Sequence, residues 1–283
     1  MKHYLLAASI VIGSGVALAQ PDKAPGAKQP EKPAATAPAA ASAAKKHSAI
    51  EPVSKENEAW WKARHESFNA RAKQGAANGD IDLIFLGDSI TQGWETDGKD
   101  VWAKSYGPRH AFNIGVSGDR TQHVLWRLDH GNVDGLAKPA KGHAPKLLVM
   151  MIGTNNSNGN DNSAEEIGDG VKAIVASLRQ KLPETKILML AIFPRGEKPN
   201  PQREKNAKAS ELASKAADGK MVHYLDIGKA FLEKDGTLTK EVMPDALHLS
   251  PKGYQIWADS IEPKVRELMG EPSPGGGAVD ENK

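Results

Sequence analysis

Four short stretches of this chain carry residue types that acyl transfer requires. Ser89 stands in Gly87-Asp88-Ser89-Ile90, directly after the apolar run Ile81 to Leu86. Asp245 precedes His248 in Asp245-Ala246-Leu247-His248, Gly118 lies in Gly115-Val116-Ser117-Gly118-Asp119, and Asn155 lies in Gly153-Thr154-Asn155-Asn156. Such chemistry needs a nucleophile, a base, a group that orients the base, and donors for the developing oxyanion. Ser89 is the nucleophile candidate. The Ser89 N–H, the Gly118 N–H and the Asn155 side-chain amide are the donor candidates, and glycine at 118 lets a substrate approach the backbone. An Asp three positions before a His on an irregular segment can fold back onto the imidazole Nδ1–H, leaving Nε2 to face the serine. Asp226, near the end of a later apolar run, is the rival orienting acid. Taken singly, each stretch also reads as an ordinary turn, since Gly, Asp, Asn and Ser are the usual turn residues.

The elements around these stretches decide whether they meet. Ile81 to Leu86, Ala111 to Ile114, Leu147 to Ile152, Ile187 to Phe193 and Val222 to Ile227 are near-continuous apolar runs and read as buried strands. Between and around them come helical patterns: Lys55 to Gln74, a short one over Val101 to Tyr106, Thr121 to Leu128, Ala164 to Lys181, Gln202 to Ala217 and Pro251 to Met269. Strands alternating with helices predict an α/β fold: a three-layer αβα sandwich with a five-stranded parallel, flavodoxin-like sheet. The loops after the first three strands then share one edge of that sheet, which gathers Ser89, Gly118 and Asn155. Among the other histidines, His123 and His130 read as surface residues and His223 as part of a strand. The pair Trp60-Trp61 reads as core packing.

The four stretches resemble, in order, the sequence blocks of the SGNH (GDSL) hydrolases. His123-Val124-Leu125-Trp126-Arg127-Leu128 and Pro194-Arg195-Gly196-Glu197-Lys198-Pro199-Asn200-Pro201 are similar to one branch, the catalytic subunits of intracellular platelet-activating factor acetylhydrolase. The resemblance covers roughly residues 80 to 268. It implies Ser89 as nucleophile, Asp245 and His248 completing a triad, and Ser89, Gly118 and Asn155 forming the oxyanion hole. Position 90 is Ile where the name-giving motif has Leu.

The N-terminus departs from that intracellular branch. Lys2, the apolar stretch Tyr4 to Val16 and Ala17-Leu18-Ala19 make a signal peptide over residues 1–19, cut after Ala19, so the expected location is secreted or periplasmic. The apolar stretch is too short to span a membrane comfortably. Residues 20–48 are Ala, Pro and Lys with few large apolar side chains, and read as a disordered linker. The hydrolase domain is expected over 49–270 and a disordered tail over 271–283. Five linker lysines (23, 28, 32, 45 and 46) face only Asp22 and Glu31, and Lys2 adds to them. Of the formal net charge of +2 the remainder therefore carries a small negative share, which argues against a nucleic-acid partner. With no cysteine in the chain, disulfides and thiolate metal sites are excluded; no histidines are paired at ligand spacing, and no cofactor or metal is implied.

The leading expectation is an esterase that removes short acyl groups from a small ester or an acylated carbohydrate, without stable membrane insertion and with room for a homodimer. The loops around the site are mostly polar, which suits a hydrated leaving group better than a lipid tail. A lysophospholipase or thioesterase on longer chains is the alternative within enzymes. A nucleotide-binding module would need a phosphate-cradling glycine loop, and Gly87-Asp88-Ser89-Ile90-Thr91-Gln92-Gly93 has the wrong spacing. A non-catalytic binding protein would have no need of all these groups.

Overall fold

The structure is a computed structural model that describes residues 46–272. The expectations for residues 1–19, for most of the linker and for nearly all of the tail lie outside the described residues. Five strands, β1 (Leu83–Gly87), β2 (Ala111–Gly115), β3 (Leu147–Met151), β4 (Lys186–Leu190) and β5 (Val222–Leu225), form one sheet in the order β2-β1-β3-β4-β5. All four pairings are parallel. This is the doubly wound, flavodoxin-like order.

The strands are apolar on both faces because helices cover both. Ile84, Leu86, Ile114, Leu148, Met150, Ile187 and Met189 point to one side. They pack there with apolar residues of α1 (Ala59–Asn78), α4 (Thr121–Asp129), α5 (Ala164–Lys181) and α6 (Pro201–Ser214). The alternate residues Leu83, Phe85, Leu147, Val149, Met151, Leu188 and Leu190 point the other way. They meet α7 (Pro251–Met269) and residues in and just after α3 (Lys99–Ser105). Burial of each such Leu or Ile contributes about 1.5–3 kcal/mol. A one-residue slip in any strand would exchange the two faces, so the register is tightly specified.

Several boundaries differ from the sequence reading. α1 starts at Ala59 rather than Lys55, because residues before it run along the start of α4, with Val53 N–H donating to the Gln122 carbonyl at 3.2 Å. β4 leaves the sheet after Leu190, although Ala191 N–H still donates to the Leu225 carbonyl at 3.0 Å. Ser48–Ile50 forms one 3-10 turn, with Ala49 fully buried and its carbonyl accepting from Thr121 Oγ1 at 2.7 Å. At the other end Arg109 holds Glu262 and Glu271 through a double fork of hydrogen bonds.

Candidate active site

β1 delivers Ser89 to the C-terminal edge of the sheet. The strand ends at Gly87, and Ser89 opens a four-residue helix, α2 (Ser89–Gln92), where the sequence suggested only a turn. Asp88 caps that helix, its Oδ1 accepting from Ile90 N–H at 3.0 Å. Tyr254 on α7 donates its hydroxyl to the Ile90 carbonyl at 2.7 Å, fastening α2 from the other side. The helix lies so close to β2 that a Cβ on Gly115 would stand 2.4 Å from Gln92 N. Asp88 itself is fully buried, and its Oδ2 has no protein partner. Burial, aided by the nearby Asp119 charge, pushes its carboxyl up to about 7 against the Ile90 N–H.

The segment before α7 brings up the candidate orienting acid and the candidate base. Asp245 Oδ1 accepts from the backbone N–H groups of Leu247 and His248 at 3.0 and 2.7 Å, and Oδ2 meets His248 Nδ1 at 2.6 Å. The turn is tight enough to hold Ala246 at φ +59°, the left-handed region. His248 Nε2 then lies 2.9 Å from Ser89 Oγ. With the Nδ1 proton on the carboxylate side, Nε2 is left to accept the Ser89 proton. Burial raises the Asp245 carboxyl, but the His248 ring and the two backbone N–H groups outweigh it and hold the group below its ordinary range. Asp226 is not part of this run of contacts: its Oδ1 accepts from Gly228 N–H at 2.8 Å, in its own turn.

Gly118 and Asn155 reach the same edge from the neighbouring strands. Gly87 is in register with Gly115 of β2 and Met151 of β3, so Ser89, Gly118 and Asn155 all follow directly on three adjacent strand ends. Gly118 has φ +71°, which favours glycine, and is exposed; the atom closest to where its Cβ would stand is Lys55 Nζ, at 3.5 Å. One amide proton of Asn155 is donated to the Asp119 carbonyl at 2.9 Å, which orients the side chain and leaves the second proton for another acceptor.

Beneath this loop lies a buried polar network that the sequence did not announce. Asp119 accepts from Trp61 Nε1 at 2.7 Å and from Arg127 Nε at 2.8 Å, all three side chains being almost fully enclosed. Burial works against both charges, pushing the Asp119 carboxyl up and the Arg127 guanidinium down, while their attraction and the indole N–H oppose it. Asn156 donates to Thr121 Oγ1, Gln122 Oε1 and Asn162 Oδ1 at 3.0–3.1 Å, tying the residue after Asn155 to α4. The Val116-Ser117-Gly118-Asp119 run reads as a turn, and nothing local links Asp119 to a tryptophan 58 positions earlier.

Two expectations need correcting. His123 is not a surface residue: its side chain is 13% exposed, its Nδ1 accepts from Arg120 N–H at 3.0 Å, and burial with nearby Lys55 and arginines pushes its pKa down to about 4. Of the tryptophan pair only Trp61 is core; Trp60 is 47% exposed, with Lys55 over its ring. His130 is exposed and stacks on Trp126, and His223 lies in β5. Among the described residues no group of three or more His, Asp or Glu side chains is placed to hold a metal ion. Nor is any described helix long and apolar enough to cross a membrane.

Comparison with known proteins decides the family. The model of the GDSL-like lipase/acylhydrolase family matches residues 85–256. The chain belongs to that family. This GDSL hydrolase is 35% identical over 219 residues to platelet-activating factor acetylhydrolase IB subunit alpha1 of Bos taurus, across 77% of this chain and 88% of the relative. A solved structure from Streptococcus pneumonia superposes with a TM-score of 0.58 at 24% identity, covering 75% of this chain and 97% of that one. An acetyl-xylooligosaccharide esterase from Geobacillus superposes with a TM-score of 0.53 at 19% identity, covering 70% and 99%. These two likenesses concern the fold. Membership of the GDSL family makes the chain a serine hydrolase.

Proposed function

We propose that this GDSL hydrolase is an exported esterase that removes short, acetyl-type acyl groups from small esters or acylated carbohydrates. The observation that carries the reading is the run of contacts from Ser89 Oγ to His248 Nε2 at 2.9 Å and from His248 Nδ1 to Asp245 Oδ2 at 2.6 Å, at the sheet edge. Ser89 Oγ attacks the ester carbonyl carbon while His248 Nε2 takes the hydroxyl proton. Asp245 holds the imidazole and balances the imidazolium. The carbonyl oxygen, now negative, receives the N–H groups of Ser89 and Gly118 and the free amide proton of Asn155. His248 gives its proton to the departing alkoxide. Water then repeats the sequence on the acyl-serine, releasing the acid and restoring the hydroxyl.

The choice of a short acyl group rests on polarity. A long chain would gain about 0.8 kcal/mol per buried CH₂, but only from an apolar trough. Beside the Asn155 loop there is a groove of about 460 Å³ lined by Ser157, Asn160, Asn200, Gln202 and Lys205 together with Gly159 and Pro201. Its hydroxyl, amide and ammonium groups offer hydrogen bonds to a hydroxylated leaving group. An acetylhydrolase among the relatives and an acetyl-xylooligosaccharide esterase among the fold neighbours point the same way. Export follows from the N-terminal sequence, and neither nucleic acid nor membrane insertion enters the reading. The test is hydrolysis of p-nitrophenyl acetate, butyrate, octanoate and dodecanoate by the wild type and Ser89→Ala. Expected are a kcat/KM that falls beyond butyrate and a loss on the order of 10⁶ in kcat in the variant. A rise toward dodecanoate would favour the lysophospholipase alternative, and a folded variant with substantial activity would remove Ser89 from its role.

A further inference from the structure

The stretch Pro194-Arg195-Gly196-Glu197-Lys198-Pro199-Asn200-Pro201 has no part in the chemistry above, yet it touches both halves of the proposed site. Arg195 Nη1 donates to the Thr154 carbonyl and Thr154 Oγ1, each at 3.2 Å, and to Asn158 Oδ1 at 3.1 Å. These acceptors bracket Asn155. The backbone between them is a run of tight turns, with Asn156, Ser157 and Asn158 N–H groups each donating three residues back. One residue on, Gly196 N–H donates to the Ala246 carbonyl at 2.8 Å. Ala246 lies between Asp245 and His248 and is the residue held in the left-handed region.

The stretch is itself firmly anchored. Asn200 Nδ2 donates to the Arg195 and Lys198 carbonyls, each at 2.9 Å, while its Oδ1 caps α6 through Arg203 N–H. Arg203 grips the Arg195, Gly196 and Gly236 carbonyls, and Leu238 N–H reaches the Glu197 carbonyl at 2.8 Å. The half-buried guanidinium of Arg195 also places a positive charge within reach of Asp88 and Asp245.

We propose that Arg195 and Gly196 form a brace that couples the Asn155 loop to the Asp245–His248 segment, with Arg195 as a positioning residue for ester hydrolysis. It rests on the esterase reading for its kinetic consequence, but not for its mechanical one. Arg195 touches neither Ser89 nor His248, so its removal misaligns a donor rather than deleting one. Misplacement of about 1 Å can cost as much as 100-fold in rate.

The test is kinetic and structural together. Arg195→Ala, with p-nitrophenyl acetate, should lower kcat roughly 10- to 100-fold with KM within about twofold. Because Arg195 acts through Asn155, Arg195→Ala with Asn155→Ala should lose less than the product of the single losses, by roughly tenfold. Hydrogen exchange on wild type and Arg195→Ala should show faster exchange over 153–160 and also over 244–249, with α5 unchanged. Should Arg195→Ala fold poorly, Arg195→Lys keeps a charge without the guanidinium fork and should show a smaller kcat loss at constant KM. A loss confined to KM, or strictly multiplicative losses, would overturn the positioning role. Exchange altered only over 153–160 would overturn the coupling. A wild type inactive on every ester would overturn the esterase reading, and the exchange experiment would still decide the brace.

Discussion

The buried carboxyl of Asp88 allows a quantitative test by a single-atom change. Asp88→Asn keeps the size of the side chain and the oxygen that caps Ile90 N–H, and removes the ionisable group. The carboxyl sits at about 7 in the folded protein against an ordinary 3.8, so the native state keeps its proton where the unfolded chain has lost it. Unfolding then releases the proton, and stability falls as pH rises from about 4 through about 7. A shift of roughly three units corresponds to about 4 kcal/mol in full. Most of this is lost between pH 5 and pH 8, a window that holds roughly 2–3 kcal/mol. Urea unfolding of wild type and variant at pH 5 and pH 8 isolates the term, because every other titrating group is common to both. The stability of Asp88→Asn relative to wild type should improve by roughly 2–3 kcal/mol on going from pH 5 to pH 8. A difference that stays constant within about 0.5 kcal/mol would show that Asp88 is ionised in the fold at both pH values, and would refute the desolvation reasoning.

Asn155→Ala should lower kcat on p-nitrophenyl acetate by roughly 10² to 10³ with little change in KM, and a pure KM effect would make it a ground-state contact instead. Asp245→Asn should lower kcat by roughly 10⁴ through the wrong imidazole tautomer, whereas Asp226→Asn, whose carboxylate serves its own turn, should keep activity within about twofold; the reverse pattern in steady-state assays would exchange the two acids. Phe85→Ala should cost about 3–5 kcal/mol in urea unfolding, since the ring is fully buried against Trp94, Trp102, Tyr106 and Trp257. A loss under about 1 kcal/mol would mean that this layer is loosely packed.

The sheet was legible because its central strands β1 and β3 are wholly apolar runs closed by a glycine, the pattern of strands covered on both faces. Its order came from the class of fold, not from any residue. The juxtaposition of Asp245 with His248 was legible because both lie on one short segment. What held the Asn155 loop was not. Asp119 finds Trp61 and Arg127 from α1 and α4, Arg195 reaches across from the loop after β4, and such partnerships exist only after the layers have packed. Ser89 opening a helix was missed for a related reason. A four-residue helix has too little periodicity to read, and its cap and anchor are Asp88 and the distant Tyr254. His123 was misread because its polarity suggested water, while its ring nitrogen caps its own helix.

The two-sided core also divides the tryptophans by layer, which gives the molecule built-in optical labels. Trp61 and Trp126 lie on the side covered by α1, α4 and α5. Trp94, Trp102 and Trp257 lie on the α7 side, in a cluster with Phe85, Tyr106 and Tyr254. Trp60 alone among the six is strongly exposed, and iodide should quench it first. The near-ultraviolet circular dichroism should be dominated by the coupled rings of the α7 layer. Replacing Trp60, Trp61 and Trp126, or Trp60, Trp94, Trp102 and Trp257, by Phe would leave emission that reports on one layer at a time. A fluorescence melt could then ask whether the helices over the Asn155 loop loosen before the layer that delivers His248.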